Sequence, residues 1–122
     1  MGQSKAENIV GWVLQILLGL FFIIVSPVPK LMGEAEVAAN FERWGYPDWF
    51  LMLTGVLELL GAIGLLVPMT AGWAASGLVL VMLGAAWTHF SNNEGLAVLV
   101  PLLFAALLVV VAYLRCPLRA KR

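Results

Sequence analysis

Four apolar stretches of close to twenty residues each leave this chain few folds to adopt. They run Ile9–Ser26, Trp49–Val67, Ala71–Phe90 and Gly95–Leu114. A helix rises about 1.5 Å per residue, so about 20 residues cross a hydrocarbon core about 30 Å thick. The stretches take up most of the 122 residues and leave no room for a second soluble domain. The expected fold is therefore all-α: residues 1–122 form one polytopic membrane domain, four transmembrane helices in a compact bundle. Composition agrees. The chain is 62% hydrophobic and 11% charged, where soluble domains run about 45–50% and about 25%.

The span ends carry their own signals. Pro27 and Pro29 follow the first span and Pro68 the second; Arg115, Cys116 and Pro117 close the fourth. Proline lacks an N–H and clashes with the preceding turn, so a helix tends to stop there. Pro101 lies inside the fourth span and is expected to kink it or to be accommodated by a neighbour. Asp48 is placed to N-cap the second span. Between spans one and two, Glu34–Arg43 predicts a short amphipathic helix with Ala35, Ala38, Ala39 and Phe41 on its apolar side. It would lie on the membrane or cap the bundle. Trp44-Gly45-Tyr46-Pro47 then turns the chain.

Charge placement predicts the orientation. Lys5, Arg115, Arg119, Lys121 and Arg122 lie at the two ends. An even number of spans puts both ends on one side, and the positive-inside rule makes that side cytoplasmic. The expected location is the cytoplasmic (inner) membrane. The loop after span one is net acidic and external, with Lys30 and Arg43 against Glu34, Glu36, Glu42 and Asp48. Trp44, Tyr46, Trp49, Trp87 and Phe90 form an aromatic belt at that boundary. MGQSKAEN lacks a small-residue cleavage site, so the first span reads as a retained helix rather than a signal peptide. Ala6 stands where a myristoylation signal needs Ser or Thr.

Several chemistries drop out. Net charge is zero and no basic run suits nucleic acid. The single Cys116 permits no intramolecular disulfide and no redox pair. It reads as an inert or occasionally acylated thiol. One histidine with no second nitrogen or sulfur partner argues against a metal site. No nucleophile–base pair, phosphate loop or dinucleotide fingerprint is present.

Glu58 stands out against this background. It interrupts the uncharged run Trp49–Val67, and a bare carboxylate at that depth costs roughly 3 kcal/mol on insertion scales. Its neighbours one turn away are Thr54, Gly55, Gly61 and Ala62, while Leu53, Val56, Leu60 and Ile63 take the opposite side. Small residues admit a neighbouring helix, so Glu58 faces protein. Similar stripes run through the other spans: Gly11, Gln15, Gly19, Phe22 and Ser26; Ala74, Gly77, Val81, Gly84 and Thr88; Ala97, Pro101, Ala105, Leu108 and Ala112. They read first as packing seams, and alternatively as the walls of a ligand cavity.

Four polar residues are candidates for a ligand-binding or proton-handling site: Glu58, Lys30, Gln15 and His89. Glu58 either glues two helices or handles a ligand or proton. Gln15 lies about 9 Å and Glu58 about 13 Å from the same membrane face, which brings a Gln15–Glu58 hydrogen bond within reach. Lys30 either snorkels to the headgroups or turns back toward Glu58 through a non-helical break at Ser26-Pro27-Val28-Pro29. His89 sits about 13 Å above Glu58, too far for direct contact but able to line a cavity mouth.

Four segments in order carry a family likeness: Lys30-Leu31, Gly45-Tyr46-Pro47, the run from Gly55 to Ala62 (GVLELLGA), and the run from Met82 to Phe90 (MLGAAWTHF). Together they resemble the DoxX and DoxX-like membrane proteins, with the DoxX-like branch favoured. The resemblance implies a compact four-helix membrane bundle in which Lys30, Glu58 and His89 are the positions to carry over. Many members have an arginine near the middle of span one, where this chain has Gln15. Founding members are linked to thiosulfate:quinone oxidoreduction. Others associate with oxidative-stress enzymes at the membrane, and distant animal relatives assist assembly of nicotinic receptors.

Shared fold does not choose among these roles. One expectation is a ligand-binding or accessory subunit that holds a quinone, lipid or other apolar small molecule near Glu58. Redox chemistry would then need a cofactor or partner, because the chain has no self-sufficient catalytic constellation. A second is a chaperone or assembly factor that offers a helix-packing surface to a membrane-protein partner. A small transporter is a third, for which a dimer could supply eight helices; the Gly and Ala stripes suit dimerisation as well as packing within the chain, and a homodimer is the preferred assembly.

Overall fold

The computed structural model describes residues 4–116. Pro117, Arg119, Lys121 and Arg122 lie outside the described residues. Six α-helices follow in order: α1 (Lys5–Ile24), α2 (Pro27–Leu31), α3 (Ala35–Arg43), α4 (Asp48–Leu66), α5 (Ala71–Ser91) and α6 (Leu99–Leu114), the last entered through a 3-10 turn at Gly95–Val98. Four segments are long and apolar enough to cross a membrane: Lys5–Leu31, Asp48–Leu66, Ala71–Ser91 and Gly95–Leu114. α1 packs on α4, α4 on α5 and α5 on α6, and α6 closes back on α1. The core runs through Leu18, Phe22, Ala62, Leu65, Leu78, Leu108 and Val111. Leu17, Leu60, Leu80 and Leu103 point outward, an apolar exterior suited to acyl chains rather than water.

The start of α1, the end of α6 and the α4–α5 turn share one end of the bundle. α2, α3 and the α5–α6 connection occupy the other, here called the lid end. α1 starts with a capping box, in which the Ser4 hydroxyl accepts from Glu7 N–H at 3.1 Å and the Glu7 carboxylate accepts from Ser4 N–H at 3.0 Å. Thr70 Oγ1 donates to the Gly64 carbonyl at 2.8 Å and ties the α4–α5 turn.

The first span ends differently from expectation. Its prolines do not unwind the chain: α1 stops at Ile24, Ser26 stays in the αR region, and α2 resumes at once with Pro27 at N1. A missing N–H is harmless in a first turn. The junction is therefore a helical bend, with Ser26 N–H reaching back to the Phe21 carbonyl at 3.4 Å. Pro47, not Asp48, caps α4, and Asp48 is its first residue. Its carboxylate there faces the positive end of the helix dipole. Pro101 is the third residue of α6, where no intrahelical N–H bond is lost and no kink is needed. In α3 the inward residues are Val37, Ala38, Asn40 and Phe41, while Ala35 and Ala39 are exposed.

The packing seams of α1 and α4 follow the sequence stripes, with Gly11, Gln15, Gly19 and Phe22 buried in α1 and Gly55, Glu58 and Ala62 in α4. Leu53, Val56, Leu60 and Ile63 face outward. α6 buries Pro101, Ala105 and Leu108, as its stripe predicts. α5 does not follow its stripe. Its buried residues are Ala71, Gly72, Ala75, Leu78, Met82, Ala86 and Thr88, and of the predicted stripe only Thr88 is among them. Gly77 and Gly84 are exposed, with nothing within 4 Å of where a Cβ would stand. The close α4–α5 approach comes from glycines of α4: a Cβ on Gly61 would lie 2.7 Å from Leu78 and one on Gly64 2.8 Å from Ala74. Both contacts lie toward the turn.

Candidate functional site

At the lid end α2 lies flat on α4 because Gly55 has no side chain. A Cβ there would stand 3.0 Å from Leu31 Cδ2 and 3.2 Å from Lys30 Cβ. That approach delivers the Lys30 ammonium to the Glu58 carboxylate, and the two form an ion pair. Ser26 Oγ donates to the second carboxylate oxygen at 2.9 Å and accepts from Lys30 Nζ at 3.3 Å. The Glu58 side chain is only 2% exposed and that of Lys30 17%. The triangle of Ser26, Lys30 and Glu58 thus meets the condition for a charge at this depth, a partner plus hydrogen bonds. A lysine ammonium carries three N–H groups. Among the described residues, Ser26 and Glu58 accept from it.

The pair borders a cavity of about 400 Å³. Thr54 and Leu57 of α4 and Leu80, Val81, Gly84, Ala85 and Trp87 of α5 form its walls; Phe41, Trp44, Tyr46 and Phe50 cover it. Thr88 and His89 also line it, so His89 shares the cavity with Glu58 without touching the carboxylate.

Gln15 is elsewhere. It is fully buried, but its Nε2 donates to the Leu65 carbonyl at 2.8 Å and its Oε1 accepts from Arg115 Nε at 2.6 Å. The expected Gln15–Glu58 bond is absent because α1 starts earlier than the apolar run, at Lys5, and is staggered against α4. Gln15 is level with Leu65, about 10 Å along α4 from Glu58. Arg115 also holds Asn8 through Oδ1 at 3.0 Å and the carbonyl at 3.2 Å, and lies over the Trp12 ring. Burial lowers its pKa from the ordinary arginine value. A guanidinium from the far end of the chain thus supplies positive charge beside span one.

A second polar cluster closes the lid. α3 and α5 each end in a Schellman turn, with Gly45 (φ 85°) and Asn93 (φ 56°) in the left-handed position. The first swings Tyr46 back under Phe41, whose carbonyl accepts from Tyr46 N–H at 3.0 Å. The second folds Glu94 over His89, Oε1 to Nδ1 at 2.6 Å. Glu94 Oε2 accepts from the Trp44 indole at 3.0 Å and from Arg43. The Trp44 indole, then Arg43 and His89, hold the Glu94 carboxyl down at about 2. Thr88 spends its hydroxyl proton on the Gly84 carbonyl at 2.9 Å, so Tyr46 is the donor in the 2.6 Å Tyr46–Thr88 bond.

The sequence marks Trp44 and Tyr46 as interfacial aromatics and does not single out Glu94 or Thr88 as site residues. The signal for Glu94 was available: an acid five residues after His89, beyond a helix end marked by Asn92-Asn93. Ser26 was legible as the last member of the α1 stripe. Among the described residues no group of three His, Cys, Asp or Glu side chains could hold a metal ion.

A closed ring of four apolar spans, one buried ion pair and a helical lid define a small polytopic membrane protein. The model of the DoxX-like family matches residues 13–111, and the chain belongs to that family. It is 29% identical over 72 residues to a protein of Bacillus subtilis (strain 168) described as uncharacterized protein YdgD, over 56% of this chain and 63% of that protein. The chain therefore spans less than two thirds of that relative's length. No solved structure matches it.

Proposed function

We propose that this DoxX-like protein is a ligand-binding or accessory membrane subunit whose cavity holds a quinone, a lipid or another apolar molecule by its polar head. The supporting observation is the Lys30–Glu58 pair at the edge of a 400 Å³ cavity. Ligand pockets run about 300–1,000 Å³ and combine apolar walls with a few convergent polar groups. Lys30 offers an N–H to a ligand oxygen, Glu58 holds the ammonium in place, and the aromatic residues pack on the apolar body. Thr54, Tyr46 and His89 surround the rest of the head. Any electron transfer would run through the bound molecule or a partner subunit, with the chain supplying position and a fixed dipole. The protein would sit in the cytoplasmic membrane with both termini on the cytoplasmic side, which puts the lid outside.

Native mass spectrometry of gently purified protein tests this. Wild type is expected to carry one small molecule per chain, and Glu58→Gln to lose it while remaining folded. A wild-type protein that is empty, or that carries another membrane polypeptide, overturns the reading in favour of an assembly factor.

A further inference from the structure

The cavity has two approaches, and they differ in what they admit. The one from water lies under the lid and is fastened. Tyr46 is bonded to Thr88, the Trp44 ring stands edge-on to His89 at 5.4 Å, and Trp44 and Arg43 both hold Glu94. These contacts join the α3 arm to α5 and its following turn.

The other approach is sideways, between α4 and α5. The two helices touch closely near their connecting turn, through Gly61 and Gly64, and the cavity occupies the space between them toward the lid. Three cavity-lining residues border this gap on the outer surface: Leu57 is 44% exposed, Leu80 71% and Trp87 64%. Gly84 lies between them with nothing within 4 Å of a Cβ. Leu80 and Gly84 are eleven and seven residues before Ser91, so about 16 and about 10 Å below the end of α5. A leaflet's hydrocarbon is about 15 Å deep, so the gap opens onto acyl chains. Glycine inside a helix costs about 1 kcal/mol relative to alanine. In a membrane helix that cost is commonly offset by close helix contact, and Gly84 has no such contact within the chain. Its missing side chain instead keeps the gap wide.

We infer that the cavity is loaded sideways from the lid-end leaflet through the α4–α5 gap, with Gly84 as its threshold. The ligand is then a membrane-dissolved amphiphile: an oxygen-bearing head reaches Lys30, and an apolar tail lies out past Gly84 between Leu57 and Leu80. The inference rests on the proposed ligand-binding role and narrows it to molecules that never leave the bilayer.

The test uses the full chain in lipid nanodiscs, with Trp12, Trp49 and Trp73 replaced by Phe so that only the cavity residues Trp44 and Trp87 fluoresce. The probes are a benzoquinone with a decyl tail and the same quinone without it, and binding is read as saturable quenching. Gly84→Leu fills the threshold. Gly77→Leu is the control, equally bare but outside the cavity lining. The tailed probe is expected to bind wild type, to bind the Gly84→Leu variant about tenfold more weakly, and to bind the Gly77→Leu variant as it binds wild type. Thermal melting verifies that both variants fold. Unchanged binding to the Gly84→Leu variant, with faster binding on loosening the lid by Tyr46→Phe, overturns sideways entry and leaves the ligand-binding role standing. Absence of saturable quenching by either probe overturns both. Conversion of a dimer into a monomer by Gly84→Leu also overturns the inference, because a second copy then covers the gap.

Discussion

The Lys30–Glu58 pair gives the sharpest energetic prediction. Lys30→Met removes the ammonium and keeps the stem. Glu58, 1% exposed, is left with one hydrogen bond, from Ser26. Two unit charges near contact are worth about 4 kcal/mol at an effective dielectric of 20. Breaking a buried pair from one side costs about 3–5 kcal/mol, and the partial exposure of Lys30 points to the lower end, about 3. Glu58→Gln is milder. The amide keeps the shape, and the ammonium retains Ser26 and the cavity, for a cost of about 1–2 kcal/mol. Independent effects would sum to about 4–5 kcal/mol. The double variant leaves no orphaned charge, so it is expected to cost only about 2–3, a coupling of about 2 kcal/mol. Reversible unfolding by sodium dodecyl sulfate in mixed micelles, followed by circular dichroism, measures all four corners of the cycle. A coupling below about 0.5 kcal/mol would refute the argument.

Four further outcomes follow from the geometry. A Cβ at Gly72 would meet the Arg115 backbone carbonyl at 2.5 Å, so Gly72→Ala should destabilise by about 2–3 kcal/mol through a contact that cannot rotate away. Gly77→Ala meets nothing and should stabilise by up to about 1 kcal/mol in the same assay. Glu94 binds its proton at about 2 in the folded lid, against an ordinary 4.5. A depressed carboxyl stabilises at pH above the ordinary value and loses that contribution as pH falls toward the folded one. Acrylamide quenching of Trp44 should therefore be flat above about pH 4.5 and rise between there and about 2, and Glu94→Gln should abolish the rise. Gln15→Leu strips Arg115 Nε of its acceptor and should cost about 1–3 kcal/mol while leaving cavity binding intact; lost ligand in that variant would count against two separate sites.

The four spans were legible because length and uncharged composition alone set them. Glu58 was legible in direction because its one-turn neighbours are small on one side and large on the other. The same rule misled for α5. There both candidate faces carry Gly or Ala at helical spacing, and only the partner decides which one packs. Leu78 fills the notch at Gly61, which turns Gly77 and Gly84 outward. The sequence leaves Lys30 two destinations, because its direction depends on Gly55, twenty-five residues away. Only depth locates Gln15 from the sequence, and depths counted from separate span ends do not resolve the stagger that sets it opposite Leu65. The lid cluster was the least legible. Glu94, Trp44 and Arg43 meet only after two left-handed turns bring distant segments together, and no local period encodes such a meeting.

The Gln15–Arg115 contact joins residues one hundred positions apart, and this sets an order on biogenesis. Glu58 can find Lys30 and Ser26 as soon as the first hairpin has entered the membrane. Gln15 can reach the Leu65 carbonyl at the same stage, but its own oxygen waits for the last span to leave the ribosome. Until then the nascent protein carries one unsatisfied polar group facing lipid near its terminal end, a handle that insertion machinery can hold. Truncation before Arg115 should leave an inserted intermediate, paired at the lid end and open at the other.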